Sequence, residues 1–334
     1  MKKITSLTLA LGLVYSVSSC FNSAVDVPNQ SVPFSGARQG AEGGRQCGSM
    51  DVLDRQIKEN PGLAKKLDDV EKHTEDFEKR MKNGRITSTG VLTIPVAIHV
   101  IYNTAKENIS DAQIQSQITV MNRDFSKTNA DVSSVPSAFA SLVADMRVQF
   151  QLVSTDRKAS SKTSWGTADA MKKSSQGGVN PVSPTTTLNI WVCNIGGGIL
   201  GYAQFPGGSS ATDGVVIGPQ FFGSSSLATG YYAAPYDKGR TATHEVGHWL
   251  NLRHIWGDAS CGNDLVSDTP TQQTSNGGCP TFPKRTCGNT ASGDMFMNYM
   301  DYTNDACMYM FTMGQKTRSW AIFAAGGARA SFNP

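Results

Sequence analysis

The chain has 334 residues, 39% of them hydrophobic and 17% charged, with a formal net charge of +3. That composition supports one or two folded units and excludes a disordered chain. The basic residues are scattered, and so small a net charge argues against a nucleic-acid partner.

Met1-Lys2-Lys3 is followed by an apolar stretch over residues 4–17, too short for a comfortable membrane span and typical of an export signal. It ends in Val17-Ser18-Ser19-Cys20, which resembles the lipobox of bacterial lipoproteins, where the cysteine is lipidated and becomes the first residue. Residues 1–19 are therefore expected to be removed. The mature protein is expected at the cell envelope, on the outer membrane, touching the membrane only through the lipid on Cys20. An exported chain can keep disulfides. Of seven cysteines, lipidation of Cys20 leaves six: Cys47, Cys193, Cys261, Cys279, Cys287 and Cys307. The last four fall in one loop-rich stretch, and four cysteines allow three pairings among which spacing does not choose.

Residues 21–45, rich in Ser, Gly, Asn and Pro, read as a tether. Residues 50–82 are charged and helix-favouring, with an apolar stripe of Val52, Leu53, Ile57, Leu63, Leu67, Val70 and Phe77 interrupted at Pro61-Gly62. Two short helices without a core of their own are expected there. Residues 91–102 ("VLTIPVAIHVIY") predict a buried strand. Ser110 and Gln113 form a capping-box pattern opening a helix that runs to Phe125. Strands follow at 148–153, 188–193 and 214–218, and a helix begins near Thr241. Regular structure is then sparse until Thr312 and Gln315, a second capping box, open a helix carrying Trp320 and Phe323. The order predicts an α/β (α+β) chain with a loop-rich C-terminal part.

The stretch "HEVGHWLNLRH" holds His244, His248 and His254, three of the five histidines in the chain. Two histidines four apart on a helix project from one face and can share an ion. Glu245, beside the first, can reach a water on that ion without becoming a ligand. The third histidine requires the chain to leave the helix through a residue at positive φ, usually Gly. Asn251 occupies that position, and Asn is among the non-glycine residues that enter the left-handed region most readily. His73 and His99 read as an exposed and a structural histidine. Three neutral imidazoles suit Zn2+ with one position open to water, and Glu245 suits a general base.

A second motif, "NYMDY" at residues 298–302, places Met300 and Tyr302 after the histidines. With these motifs, and stretches such as "LNIWVCNIGGGILGYAQFPG", the chain resembles the metzincin metalloproteases, and within them the pappalysin family, from about Cys47 to Phe323. The resemblance implies a metzincin fold: a twisted mixed sheet with two long helices above the zinc cleft, and an irregular C-terminal subdomain ending in a helix. It implies a zinc endopeptidase, monomeric and made as a latent zymogen, that hydrolyses protein or peptide substrates. Met300 would floor the zinc site and Tyr302 would help stabilise the oxyanion. The organisation expected is a signal peptide at 1–19, a tether and inhibitory propeptide at 20–85, and a catalytic domain at 86–334, its upper subdomain ending at residue 254 and its lower subdomain starting at 255.

"RQCGSMD" at residues 45–51 resembles a propeptide cysteine switch, with Cys47 as the fourth zinc ligand of the latent form. "CGNDLVSDTP" at 261–270 resembles the family's calcium loop, implying Ca2+ held by Asn263, Asp264, Ser267 and Thr269. The resemblance also implies the disulfides Cys261–Cys287 and Cys279–Cys307. A substrate is expected to lie antiparallel on an edge strand near residues 214–218. Ala306 stands where relatives preferring a basic residue after the scissile bond carry an acid, which implies a weakened basic preference. The rival reading is a non-catalytic zinc-binding lipoprotein or adhesion module on the same fold. Such a module is expected to have lost Glu245 or a histidine, and none is lost. The open cleavage site is expected in "KNGRITSTG", residues 82–90, which is polar and contains two glycines.

Overall fold

The computed structural model describes Met1, residues 44–84 and residues 90–333. The export signal, the lipobox with Cys20, and most of the 82–90 stretch lie outside the described residues. Among the described residues, no helix is long and apolar enough to cross a membrane.

The segment after Gly48 forms helices α1 (Ser49–Glu59) and α2 (Gly62–Lys82), separated at Asn60-Pro61, one residue before the Pro61-Gly62 interruption expected from the sequence. Strand β1 (Leu92–Tyr102) follows, then helix α3 (Asp111–Phe125) and strand β2 (Val148–Ala159). Three short strands come next: β3 (Leu188–Val192), β4 (Gly201–Ala203) and β5 (Val215–Ile217). Helix α4 (Arg240–Trp249) carries the first two histidines, and α5 (Met313–Ala321) closes the chain.

The sheet order is β2-β1-β3-β5-β4; β4 alone runs antiparallel to its neighbour, and the other pairings are parallel. Central parallel strands are covered on both faces, which is why β1 reads as a nearly continuous apolar run. On one face Val96, Ile98, Val100, Ile190 and Val192 pack against Ile114, Ile118 and Met121 of α3 and Val246 and Trp249 of α4. On the other face Ile101, Trp191, Tyr202 and Val216 form a smaller cluster that takes Val52 of α1. The sheet ends in β2 on one side and β4 on the other, and β5, expected at the edge, is internal. β4 is three residues long and starts at a glycine, too short to stand out as an alternating pattern.

Two local expectations also change. Ser110 does cap α3, accepting from the Gln113 backbone N–H, but the Gln113 side chain does not reach back to it. It is buried and instead donates to the carbonyls of Phe222 (2.8 Å) and Tyr231 (2.9 Å), pinning the long loop before α4. His73 is half-buried, with Nε2 3.0 Å from the Ala321 carbonyl, rather than exposed. His99 is a structural histidine: it is buried between Asp156 (2.5 Å) and Asn189 (2.9 Å).

Beyond α4 the chain is held by polar networks and cross-links in place of ladders. Buried Asp301 accepts from the N–H groups of Asn276 and Tyr302 and from the side chains of Gln272 and Asn276, all within 2.7–2.8 Å. Cys261 is bonded to Cys287 and Cys279 to Cys307, each closing a loop of under thirty residues. Cys193 is a free, buried thiol on the small-cluster face.

Candidate active site

α4 is preceded by Gly239, at φ 82°, and ends where Leu250 N–H bonds back to the Val246 carbonyl. Asn251 then adopts φ 73°, and the N–H of Leu252 returns to the Gly247 carbonyl (3.0 Å). This left-handed exit swings His254 back under the helix. Gly247 has its own reason to be glycine: a Cβ there would lie 2.4 Å from the Met300 sulfur. Met300 thus packs directly beneath the helix that carries the histidines, and its carbonyl accepts the Ile255 N–H (3.1 Å).

All three imidazoles are fully buried. Each Nδ1 faces an acceptor: the Tyr299 carbonyl for His244 (2.7 Å), the Leu252 carbonyl for His248 (2.8 Å), and the Asp258 carboxylate for His254 (2.6 Å). Those partners place the proton on Nδ1 and leave each Nε2 as a bare acceptor. The Nε2 atoms converge, His248 lying 3.2 Å from His244 and 3.1 Å from His254. Lone pairs cannot bond one another, so the donor set fits a cation. The Cys47 sulfur completes the cluster, with all four candidate ligand atoms within 4.8 Å of one another. Nitrogen and sulfur donors at this number suit zinc. Burial, and the mutual repulsion of the cluster, push the His244 imidazole well below its usual value and so keep it neutral, the form that binds a metal. Burial and the Glu245 carboxylate push the Cys47 thiol up, so a cation beside it is what would make it a thiolate.

Glu245 is buried next to the cluster. Burial pushes its carboxyl up to about 7, against hydrogen bonds from Ser49 and Cys47 that lower it. Gly201 on β4 lets it approach: a Cβ there would lie 3.0 Å from the Glu245 side chain and closer still to Ile217 and Val216. Tyr302 lies across the cluster, its ring 4.9 Å from His254 and 5.7 Å from His244.

Several contributors went unread in the sequence. The Trp256 ring stacks on His254 at 4.4 Å, and Asp258 orients the same histidine. The largest omission is the pocket around Arg45. This arginine is buried, donates to Asp305 (2.5 Å) and Thr241 (2.9 Å), and lies 4.9 Å over the Tyr236 ring. Asp305 is buried too, and its second oxygen accepts the backbone N–H groups of Lys238 and Arg240 at the start of α4. Asp305, beside Ala306, is the carboxylate that pairs with Arg45.

The segment Arg45–Ser49 lies along the free edge of β4 in the parallel sense: Leu200 N–H bonds Gln46 and Gly48 N–H bonds Gly201, both at 2.9 Å. Behind it α2 packs on the zinc loop and α5, with Glu71 against Arg318 (2.5 Å), the Asn251 amide on Thr74 (3.4 Å), and Phe77 in the main core.

In the calcium-loop stretch, Asp264 is buried and its carboxylate takes the Thr269 hydroxyl at 2.9 Å and the Val266 N–H at 3.1 Å. The Asn263 side chain instead accepts the Leu265 N–H.

The peptidase M43 profile, described as pregnancy-associated plasma protein-A, matches residues 184–324. An extracellular metalloprotease of Arthroderma benhamiae is 34% identical over 245 residues, covering 71% of this chain and 81% of that protein. The chain belongs to the peptidase M43 family. Extracellular metalloprotease 1 of Coccidioides posadasii is 35% identical over 267 residues, covering 75% of this chain and 88% of that protein. Among solved structures, mature mirolysin of Tannerella forsythia, in complex with a cleaved peptide, superposes with a TM-score of 0.70 at 48% identity. It covers 74% of this chain and 96% of that one. A promirolysin mutant from the same organism gives 0.75 at 44%, covering 86% and 97%. This M43 chain is a zinc metalloendopeptidase of metzincin fold, made as a latent zymogen. The reading as a non-catalytic module is set aside.

Proposed function

We propose that residues 20–85 are tether and inhibitory propeptide and residues 86–334 the catalytic domain, and that His244, His248 and His254 hold the zinc. The observation that carries this is the convergence of three Nε2 atoms and the Cys47 sulfur within 4.8 Å, beside Glu245. Zinc held there supplies a Lewis acid for the scissile carbonyl and makes a water acidic enough to be deprotonated near neutral pH. Glu245 accepts the proton of the attacking water and delivers it to the leaving amine. Tyr302, beside the cluster, donates to the oxyanion. The Asn251 turn and Met300 keep His254 and α4 in register; both are positioning residues.

Substrate runs along β4, antiparallel to it, opposite to the Arg45–Ser49 segment. Along the propeptide the order is pocket, then metal; for a chain running the other way the pocket residue falls after the scissile bond. Arg45 therefore stands where the side chain following that bond would sit, and Asp305 makes the enzyme prefer arginine there. The Asp264 carboxylate and Thr269 hydroxyl, with the backbone of Asn263 and Ser267, hold Ca2+ that rigidifies the loop. The buried Asp264 carboxylate, with the Thr269 hydroxyl 2.9 Å away, supports that fit. The enzyme is exported, works as a monomer on extracellular proteins, and is tethered through the lipid on Cys20 until cleavage in residues 82–90 detaches it; it takes no nucleic-acid partner.

The test is metal analysis of matured protein with cleavage-site mapping on a peptide library. One zinc per chain, chelator-sensitive hydrolysis and arginine after the cut are expected. A metal-free chain that still hydrolyses, or cuts with no arginine preference, would overturn the corresponding part.

A further inference from the structure

Ser49, two residues past the candidate switch cysteine, is fully buried, and its hydroxyl touches the catalytic side of the cleft. Its Oγ donates to Glu245 Oε2 at 2.7 Å and accepts the Ala203 N–H of the edge strand at 2.8 Å. The Cys47 sulfur lies 3.3 Å from the same carboxylate oxygen, and the Ser49 N–H points back at that sulfur (3.4 Å). The assignment of the proton is forced. The Ala203 N–H can only donate, so the single Ser49 proton goes to Glu245. Two backbone bonds on either side, Leu200 to Gln46 and Gly48 to Gly201, fix the hydroxyl in place before any water arrives.

We propose that Ser49 is a second lock on the zymogen, independent of the thiol: it occupies the proton-accepting oxygen of Glu245 and the edge-strand amide that substrate needs. The inference rests on Glu245 being the general base. The two locks deny different things. Cys47 closes the metal to water, whereas Ser49 closes the base to it. A water admitted by removing the thiol would still have to displace a preorganised hydroxyl from a buried carboxylate. The loss of Cys47 alone therefore leaves the precursor silent, and the loss of both residues does not. An alanine at 49 can neither accept from Ala203 nor donate to Glu245. Threonine keeps the hydroxyl that both bonds need.

The test uses full-length precursor, checked by mass spectrometry to be intact before and after assay with a short fluorogenic peptide. Cys47→Ala should stay within about threefold of the wild-type precursor, while Cys47→Ala with Ser49→Ala should rise by about 10–100-fold, the size expected from losing one hydrogen bond to a charged group. Cys47→Ala with Ser49→Thr should remain silent. An equal rise in Cys47→Ala alone, or none in the double variant, would overturn the lock. A second readout needs no activity: thermal unfolding of chelator-treated precursor. Ser49→Ala should lower Tm in both backgrounds, because the Ala203 bond is lost in each, and by about 2–4 °C more with Glu245 present than in a Glu245→Ala background. Equal shifts in both backgrounds would make Ser49 a strand-edge fastener only. Full activity of matured Glu245→Ala enzyme would instead remove the base itself, while leaving the thermal cycle readable.

Discussion

Asp305→Asn is the perturbation that bears hardest on substrate choice. The wild-type carboxylate sits 2.5 Å from the Arg45 guanidinium, with both side chains almost wholly excluded from solvent. Removing one partner of a buried pair leaves the other charge uncompensated, a cost of about 3–5 kcal/mol. A substrate arginine entering from water retains part of its hydration and keeps the Thr241 and Tyr236 contacts, so the loss in transition-state binding should be smaller, about 2–4 kcal/mol. That is a fall of about 30- to 1000-fold in kcat/KM for peptides with arginine after the scissile bond. Asparagine is the right replacement because its carbonyl oxygen can still accept from Lys238 or Arg240, which alanine could not. The start of α4 should therefore survive. Matched peptides with leucine at the same position should change by less than about threefold. The assay is kcat/KM on the two peptides, with thermal unfolding as a control. An equal fall on both would mean that Asp305 acts by holding α4. An unchanged arginine rate would mean that the pocket Arg45 fills is not the substrate's.

Asn251→Gly should keep activity, since glycine reaches φ 73° without strain, while Asn251→Val should lose zinc affinity by about 1–2 kcal/mol or more, read by chelator competition. Breaking Cys261–Cys287 by a double serine substitution should cost about 3–4 kcal/mol, seen in denaturant melts of the matured enzyme. Asp264→Asn should abolish any rise in Tm on adding calcium while leaving zinc content at one per chain; a persistent calcium effect would place the ion elsewhere.

What could be read from the sequence was whatever depends on local spacing. His244 and His248 share a helix face because they are four apart, and Asn251 marks a left-handed exit because few other residues tolerate one. The Thr312–Gln315 capping box is likewise local, and both of its bonds form. Parts built from distant segments were not legible. Asp305 reaches Arg45 across 260 positions, and Ser49 reaches Glu245 across 196. No periodicity encodes either contact. The edge was assigned to β5 because β4 is three residues in a glycine-rich passage, and only the pairing partners show which strand is free. Gln113 misled for a related reason: its spacing from Ser110 fits a capping box, but three buried carbonyls from the loop at 219–231 compete for the side chain and win.

The central claim is that Glu245 moves the proton at a zinc held by His244, His248 and His254. The direct measurement is kcat of matured Glu245→Ala enzyme, alongside its zinc content by metal analysis. Zinc retained at one per chain, with kcat lowered by about 100-fold or more, is predicted, in line with removal of a general base. Retained zinc with wild-type kcat would contradict the account.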